Sequence, residues 1–245
     1  MPPFLNVMGF FYILVAAPFL ISFLSEGYWR GVFSQIWQEL CRYRMWIIPV
    51  IILELLIIKY ADLPTTLWVK YIDDKTHAYT FWDFICSCAE GGFVAGFLFT
   101  VFMLANYFRQ IKLASVAKIS LMSSIYGGLA NGVLKFIFNR QRPSIGLDQW
   151  HFFAFFESGA KHFDDLMYAY NSMPSGHTIT TLAAIVPFFL AYRGKKIRLF
   201  LISWAILVNF SRVYTINHWL SDVVMASILG VIIGMSVFKV NQHRL

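Results

Sequence analysis

The sequence predicts an all-α fold, a polytopic membrane helix bundle of about six spans, or seven if the N-terminal apolar stretch also crosses. Three observations predict it. The chain of 245 residues is 58% hydrophobic and 13% charged, with a mean hydropathy of +0.61, whereas soluble domains carry about 25% charged residues. It contains several apolar runs near the roughly 20 residues that a bilayer needs. Its basic residues gather in short loops between those runs, the pattern of positive-inside topology. That pattern accounts for the net charge of +7 without a nucleic-acid partner.

Residues 1–44 read as an apolar segment followed by an interfacial region, and residues 45–245 as one membrane domain. Phe4 to Leu24 is long enough to span, carries Pro18, and lacks the basic start and small-residue cleavage site of a secretory signal, so it is expected to be retained. Whether it crosses or lies flat is left open. Glu26 to Arg44 is polar and aromatic, with Arg30, Arg42 and Arg44, and suits the membrane surface. Met45 to Tyr60 is a short span with Glu54 in its middle, and Ala61 to Thr80 reads as a polar connection containing Pro64, Asp73, Asp74 and Lys75. Phe81 to Phe108 is a further span; Asp83 and Glu90 lie near its start, and Gly91, Gly92 and Gly96 permit close helix packing.

A short basic loop (Arg109, Lys112, Lys118) leads into the span Val116 to Phe138. Ser144 to Met173 is a long connection rich in aromatics (Trp150, Phe152, Phe153, Phe155, Phe156), fit for a lid, a lipid-entry surface or interfacial anchoring. Its acids Asp148, Glu157, Asp164 and Asp165 read as solvated surface. Gly176 to Tyr192 spans back, and the loop Arg193 to Arg198, RGKKIR, reads as cytoplasmic. Leu199 to Thr215 and Trp219 to Val240 complete the bundle. Cys41, Cys86 and Cys88 make no disulfide framework, and Cys86 and Cys88, a weak metal pair without a nearby histidine or further cysteine, read better as small apolar residues at a helix end.

Three polar stretches interrupt this apolar plan. Ser211 to Asp222 reads SRVYTINHWLSD. His218 and Asp222 are four apart, one helical turn on a shared face; an imidazole held by a carboxylate has one nitrogen fixed as donor and the other free to attack or carry a proton. Lys135 to Pro143 reads KFIFNRQRP, with Lys135 and Arg142 two helical turns apart. Pro174 to His177 reads PSGH and opens an apolar run. Three cations, two histidines and a helix N-terminus suit a phosphoryl group, whose oxygens are neutralised by the cations and bound by free N–H groups. Taken singly, each has a plainer reading, a structural His–Asp pair or a snorkelling Lys or Arg. If RGKKIR is cytoplasmic, parity puts all three at the opposite face, as one site requires.

In this order and spacing, the K-x6-RP, PSGH and SR-x5-H-x3-D elements resemble the three-part signature of the type 2 phosphatidic acid phosphatase family, which also contains the vanadium haloperoxidases. The resemblance covers residues 135–222. It implies that His218 attacks phosphorus to form a phosphohistidine, with Asp222 orienting it, and that His177 protonates the leaving oxygen and then activates water. Lys135, Arg142, Arg212, the Ser175 hydroxyl and the Gly176 N–H would hold the phosphate oxygens, while Pro143 and Pro174 shape turns. Neither a metal nor another cofactor is implied, since the cations supply the charge.

The function expected is hydrolysis of a lipid phosphate or diphosphate, with membrane lipids as surroundings and no nucleic acid. The compactness of the chain favours a bacterial source, and hence an inner-membrane enzyme with its site facing the periplasm. Candidate substrates are phosphatidylglycerol phosphate, phosphatidic acid, undecaprenyl diphosphate and lipid A phosphate. The alternative is a lipid-phosphate binding or carrier protein that keeps the anion pocket without turnover, for which His218, Asp222 and His177 would be superfluous. Haloperoxidase chemistry fits poorly, because the resembling haloperoxidases are soluble.

Overall fold

The computed structural model describes residues 27–76, 78–154 and 169–245, the side chains of 74–76 excepted. The apolar stretch 4–24 and the expected surface acids at 157, 164 and 165 lie outside the described residues. The described residues are helical throughout their regular structure.

Helix α1, Val32–Arg42, is amphipathic as expected of a surface segment. Val32 and Glu39 face inward, and Phe33 and Trp37 are exposed. The buried Glu39 carboxylate accepts from Lys239 Nζ at 2.8 Å and Gln35 Nε2 at 2.7 Å, which ties the helix to the C-terminal end of the bundle.

Helix α2, Arg44–Ile57, passes through a π-helical turn, Ile58–Asp62, directly into α3, Leu63–Thr76. Most of the polar connection expected at 61–80 is therefore helix. The wider turn falls just before Pro64, which withdraws its N–H from the helical ladder. The polarity of α3 reflects tertiary pairing: Tyr214 Oη donates to Asp73 Oδ1 at 3.0 Å, and Val69 is buried with Val213, Tyr214 and Val223.

The run expected at 81–108 is broken. Helices α4, Tyr79–Cys88, and α5, Gly91–Tyr107, meet at 53°. Then follow α6, Ile111–Phe138, and α7, Gly176–Ala191, then α8, Lys195–Tyr214, and α9, Leu220–Asn241. Lys195 to Arg198, expected in a loop, form the first turn of α8, where Arg198 lies over the Phe189 ring at 4.6 Å. Among the described residues α6, α8 and α9 are long and apolar enough to cross a membrane, and α4–α5 adds a fourth if the bent pair is one span.

Helix α7, 16 residues and apolar, lies against both α6 and α9. Ile119, Met122 and Tyr126 of α6 meet Ile179 and Ala183 of α7 and Ala226, Ile233 and Val237 of α9 in the main core. Glycines of α9 set this packing most tightly. A Cβ on Gly230 would come within 2.9 Å of the Ile179 carbonyl oxygen, and one on Gly234 within 2.7 Å of Val186 Cβ, whereas nothing lies within 4 Å at Gly96.

Candidate active site

The three motifs occupy three junctions at one end of the bundle. At the end of α6, Asn139 takes a left-handed conformation (φ 37°) and its N–H returns to the Lys135 carbonyl at 2.9 Å. The chain then crosses the bundle end through Arg140 to Pro143. Ser175 precedes α7, and Thr215 to Trp219 joins α8 to α9. Hydrogen bonds to backbone carbonyls stitch these junctions together. Ser175 N–H donates to the Asp222 carbonyl at 3.1 Å, Ser172 N–H to the Arg140 carbonyl at 3.0 Å, and Trp219 Nε1 to the Gln141 carbonyl at 2.8 Å.

His218 sits in the α8–α9 turn, 1% exposed. Its Nδ1 lies 2.6 Å from the Ser172 carbonyl and 3.7 Å from Asp222 Oδ2. The expectation that Asp222 holds the ring is thus altered: a backbone oxygen takes the Nδ1 proton, which leaves Nε2 as the unprotonated nitrogen. Asp222 stands one step away. Its Oδ2 accepts from Ser172 Oγ at 2.5 Å and from the Trp219 N–H at 2.9 Å. Burial first, then the charges of Arg212, Arg142, Lys135 and His177, push the His218 pKa well below the usual histidine value. His218 is therefore neutral, and those four residues lie within electrostatic reach of it.

Arg142 is buried and donates from Nη1 to the Asn217 carbonyl at 3.2 Å, next to His218, and from Nη2 to the Asn171 carbonyl at 3.4 Å. Arg212 is buried at the end of α8, where its Nη1 meets Cys86 Sγ of α4. Its Nε, and the Ser175 hydroxyl, have no hydrogen-bond partner among the described residues. Lys135 and His177 are half-buried. Gly176 opens α7, so its N–H belongs to the helix's free first turn; a Cβ there would come within 3.0 Å of Asn131 Nδ2, one turn before Lys135.

Two residues that sequence reasoning passed over stand behind this site. Arg140 is fully buried and joins Asp222 to Asp62 of the π-helical turn. Its Nη1 donates to Asp222 Oδ1 at 2.6 Å and Ser221 Oγ at 2.7 Å, and its Nη2 to Asp62 Oδ2 at 2.7 Å and the Gln149 carbonyl at 2.7 Å. The rings of Phe152 and Trp219 lie 4.8 Å and 5.3 Å from the guanidinium. The extra arginine inside KFIFNRQRP was a visible signal; nothing linked Asp62 to the motifs. Glu54 of α2 is buried, and neither of its carboxylate oxygens has a hydrogen bond among the described residues. No group of three or more His, Cys, Asp or Glu side chains suited to a metal occurs among the described residues.

The model of the PAP2 superfamily matches residues 117–245, more than half of the chain and all three motifs. The chain belongs to the PAP2 superfamily. Within it, the chain is similar to Lipid A 4'-phosphatase of Bacteroides thetaiotaomicron, 23% identical over 162 residues that make up 61% of this chain and 65% of the relative. It thus spans a little under two thirds of that protein's length. The crystal structure of Aquifex aeolicus LpxE shares its fold, with a TM-score of 0.50 and 21% identity over 70% of this chain and 93% of that one.

Proposed function

We propose that this PAP2 protein hydrolyses a lipid phosphate or diphosphate through a phosphohistidine intermediate. The observation that carries the reading is His218: neutral, buried, its Nδ1 at 2.6 Å from the Ser172 carbonyl, and set among Arg212, Arg142, Lys135 and His177. An imidazole in this tautomer offers the Nε2 lone pair to phosphorus. As the N–P bond forms, the bond to the lipid oxygen breaks, and His177 gives that oxygen a proton. Water then attacks the phosphohistidine, His177 takes its proton, and phosphate leaves with His218 restored. Lys135, Arg142 and Arg212 balance the charge on the non-bridging oxygens, the task that a divalent ion performs in other phosphoryl-transfer sites. Ser175 Oγ and Arg212 Nε, buried and without a hydrogen-bond partner among the described residues, suit the same anion. Asp222 offsets the positive charge that His218 acquires.

A membrane arrangement follows from this reading. Six crossings, by α2 with its π-helical turn, α5, α6, α7, α8 and α9, put the motif junctions at one face. Arg109, Lys112, Lys195 and Lys196 then lie at the other, which the positive-inside rule makes cytoplasmic. In a bacterial inner membrane the site then faces the periplasm. An apolar cavity of about 490 Å³ between α5, α7 and α8, lined in part by Cys88, Phe97, Ala184, Phe200 and Trp204, suits the substrate's acyl chain. Its Cys88 lies two residues from Cys86, the neighbour of Arg212.

Similarity to a lipid A phosphatase favours a lipid A phosphate among the candidate substrates. The test is phosphate release by the purified protein from lipid A phosphates, phosphatidylglycerol phosphate, phosphatidic acid and undecaprenyl diphosphate. Multiple-turnover release from at least one is expected. Tight binding of these lipids without phosphate release would instead establish a carrier.

A further inference from the structure

We propose that Arg140, braced by Asp62, is a positioning residue that aims Asp222 at His218; the inference rests on the reading of His218 as nucleophile. The two oxygens of Asp222 have separate partners. Oδ2 faces the imidazole at 3.7 Å and takes the Ser172 hydroxyl and the Trp219 N–H. Oδ1 accepts from Arg140 Nη1 at 2.6 Å and has no other hydrogen bond among the described residues. The guanidinium therefore decides which way the carboxylate is rotated, while Ser172, whose carbonyl holds His218 Nδ1, anchors the other edge.

Asp62 completes the arrangement. A lone buried guanidinium beside Asp222 would cancel the negative charge that His218 needs when it becomes cationic. Asp62 faces Arg140 from the other side at 2.7 Å and neutralises it, so the charge of Asp222 remains available to the imidazole. Asp62 also accepts the Ser221 N–H at 2.9 Å and the Ser221 hydroxyl at 2.6 Å, which fixes it to the first turn of α9, the turn that carries Asp222. Side chains of Arg140, Asp62 and Asp222 are all 0% exposed. The π-helical turn that brings Asp62 here is itself a form that occurs often at functional sites.

The test compares the full chain in detergent with Arg140→Met, Arg140→Lys, Asp62→Asn and His218→Ala, reading kcat, KM and competitive inhibition by inorganic phosphate on folded protein. Arg140→Met is expected to lower kcat about 100-fold while KM and phosphate inhibition stay within about threefold, because Arg140 does not touch the anion. Arg140→Lys should recover about tenfold of that loss, and Asp62→Asn should lower kcat about tenfold. If Arg140→Met does not fold, Arg140→Lys and Asp62→Asn decide by the same split. Wild-type kcat in the folded variants, or a loss confined to KM or to the yield of folded protein, overturns the inference. With His218→Ala inactive, such a result leaves the active-site reading intact; an active His218→Ala removes both.

Discussion

His218 Nδ1 lies 2.6 Å from the carbonyl oxygen of Ser172 and 3.7 Å from the nearer oxygen of Asp222. The tautomer of the proposed nucleophile is thus set by the backbone, and in the proposed mechanism the carboxylate contributes charge and orientation from behind. The division of labour between the two leads to distinct expectations for substitution.

Asp222→Asn leaves the Ser172 carbonyl in place, so Nε2 keeps its lone pair. What it removes is the charge opposite the developing imidazolium and the partner of Arg140. A kcat lower by about 10²- to 10³-fold is expected, a smaller loss than that of His218→Ala. Steady-state phosphate release from the two variants side by side checks the order.

Stability should depend on pH through His218. Its pKa is pushed down in the folded protein by burial and neighbouring cations, whereas an unfolded histidine titrates near about 6.5. Below that value the unfolded chain binds the proton and the folded one does not, so stability falls as pH drops from about 6.5 toward the depressed folded value. Above about 6.5 the effect vanishes. Thermal unfolding in detergent at a series of pH values should show this acid loss, and His218→Asn should show less of it.

Close packing of α7 on α9 makes a further expectation. Gly234→Val inserts atoms where even a Cβ meets Val186 Cβ at 2.7 Å, and should cost about 1–3 kcal/mol. Gly96→Ala, with nothing within 4 Å, should be neutral or slightly stabilising, since alanine is the better helix former by up to about 1 kcal/mol. Melting temperatures of the two variants measure the contrast.

Much of the site was legible in the sequence because its parts are short, local and chemically out of place in an apolar chain. Arg212, His218 and Asp222 stand out as polar groups where lipid makes them costly, and Lys135, Arg142, Ser175 and His177 through the short motifs that hold them. The support behind them was not legible. Asp62 reaches Arg140 across 78 residues and Ser221 across 159, and no spacing rule links positions so far apart. Two errors of architecture share one source, the equation of polarity with loop. Asp73 is polar because Tyr214 donates to it, and Lys195 to Arg198 are basic within a helical turn. The bend between α4 and α5 falls at Ala89 and Glu90, just before Gly91 and Gly92, a polar and small-residue trace that the apolar stretches on either side obscured.

Sidedness is open to labelling. Cys41 is exposed, so its replacement by serine provides the background. Ser144→Cys, at an exposed position beside the motif junctions, should react with a membrane-impermeant thiol reagent in intact cells. Lys195→Cys, exposed at the other end, should react only after the membrane is opened. The reverse pattern would turn the site toward the cytoplasm.

The central claim is that His218 carries the phosphoryl group. Rapid mixing with lipid substrate labelled in the transferred phosphate, followed by an alkaline quench that preserves phosphohistidine, tests it most directly. The account predicts label on the peptide containing His218, appearing and decaying at rates that sustain kcat, and no label in His218→Ala, whose turnover falls by about 10⁴-fold or more. Label on another residue, or near-normal turnover by folded His218→Ala, would contradict it.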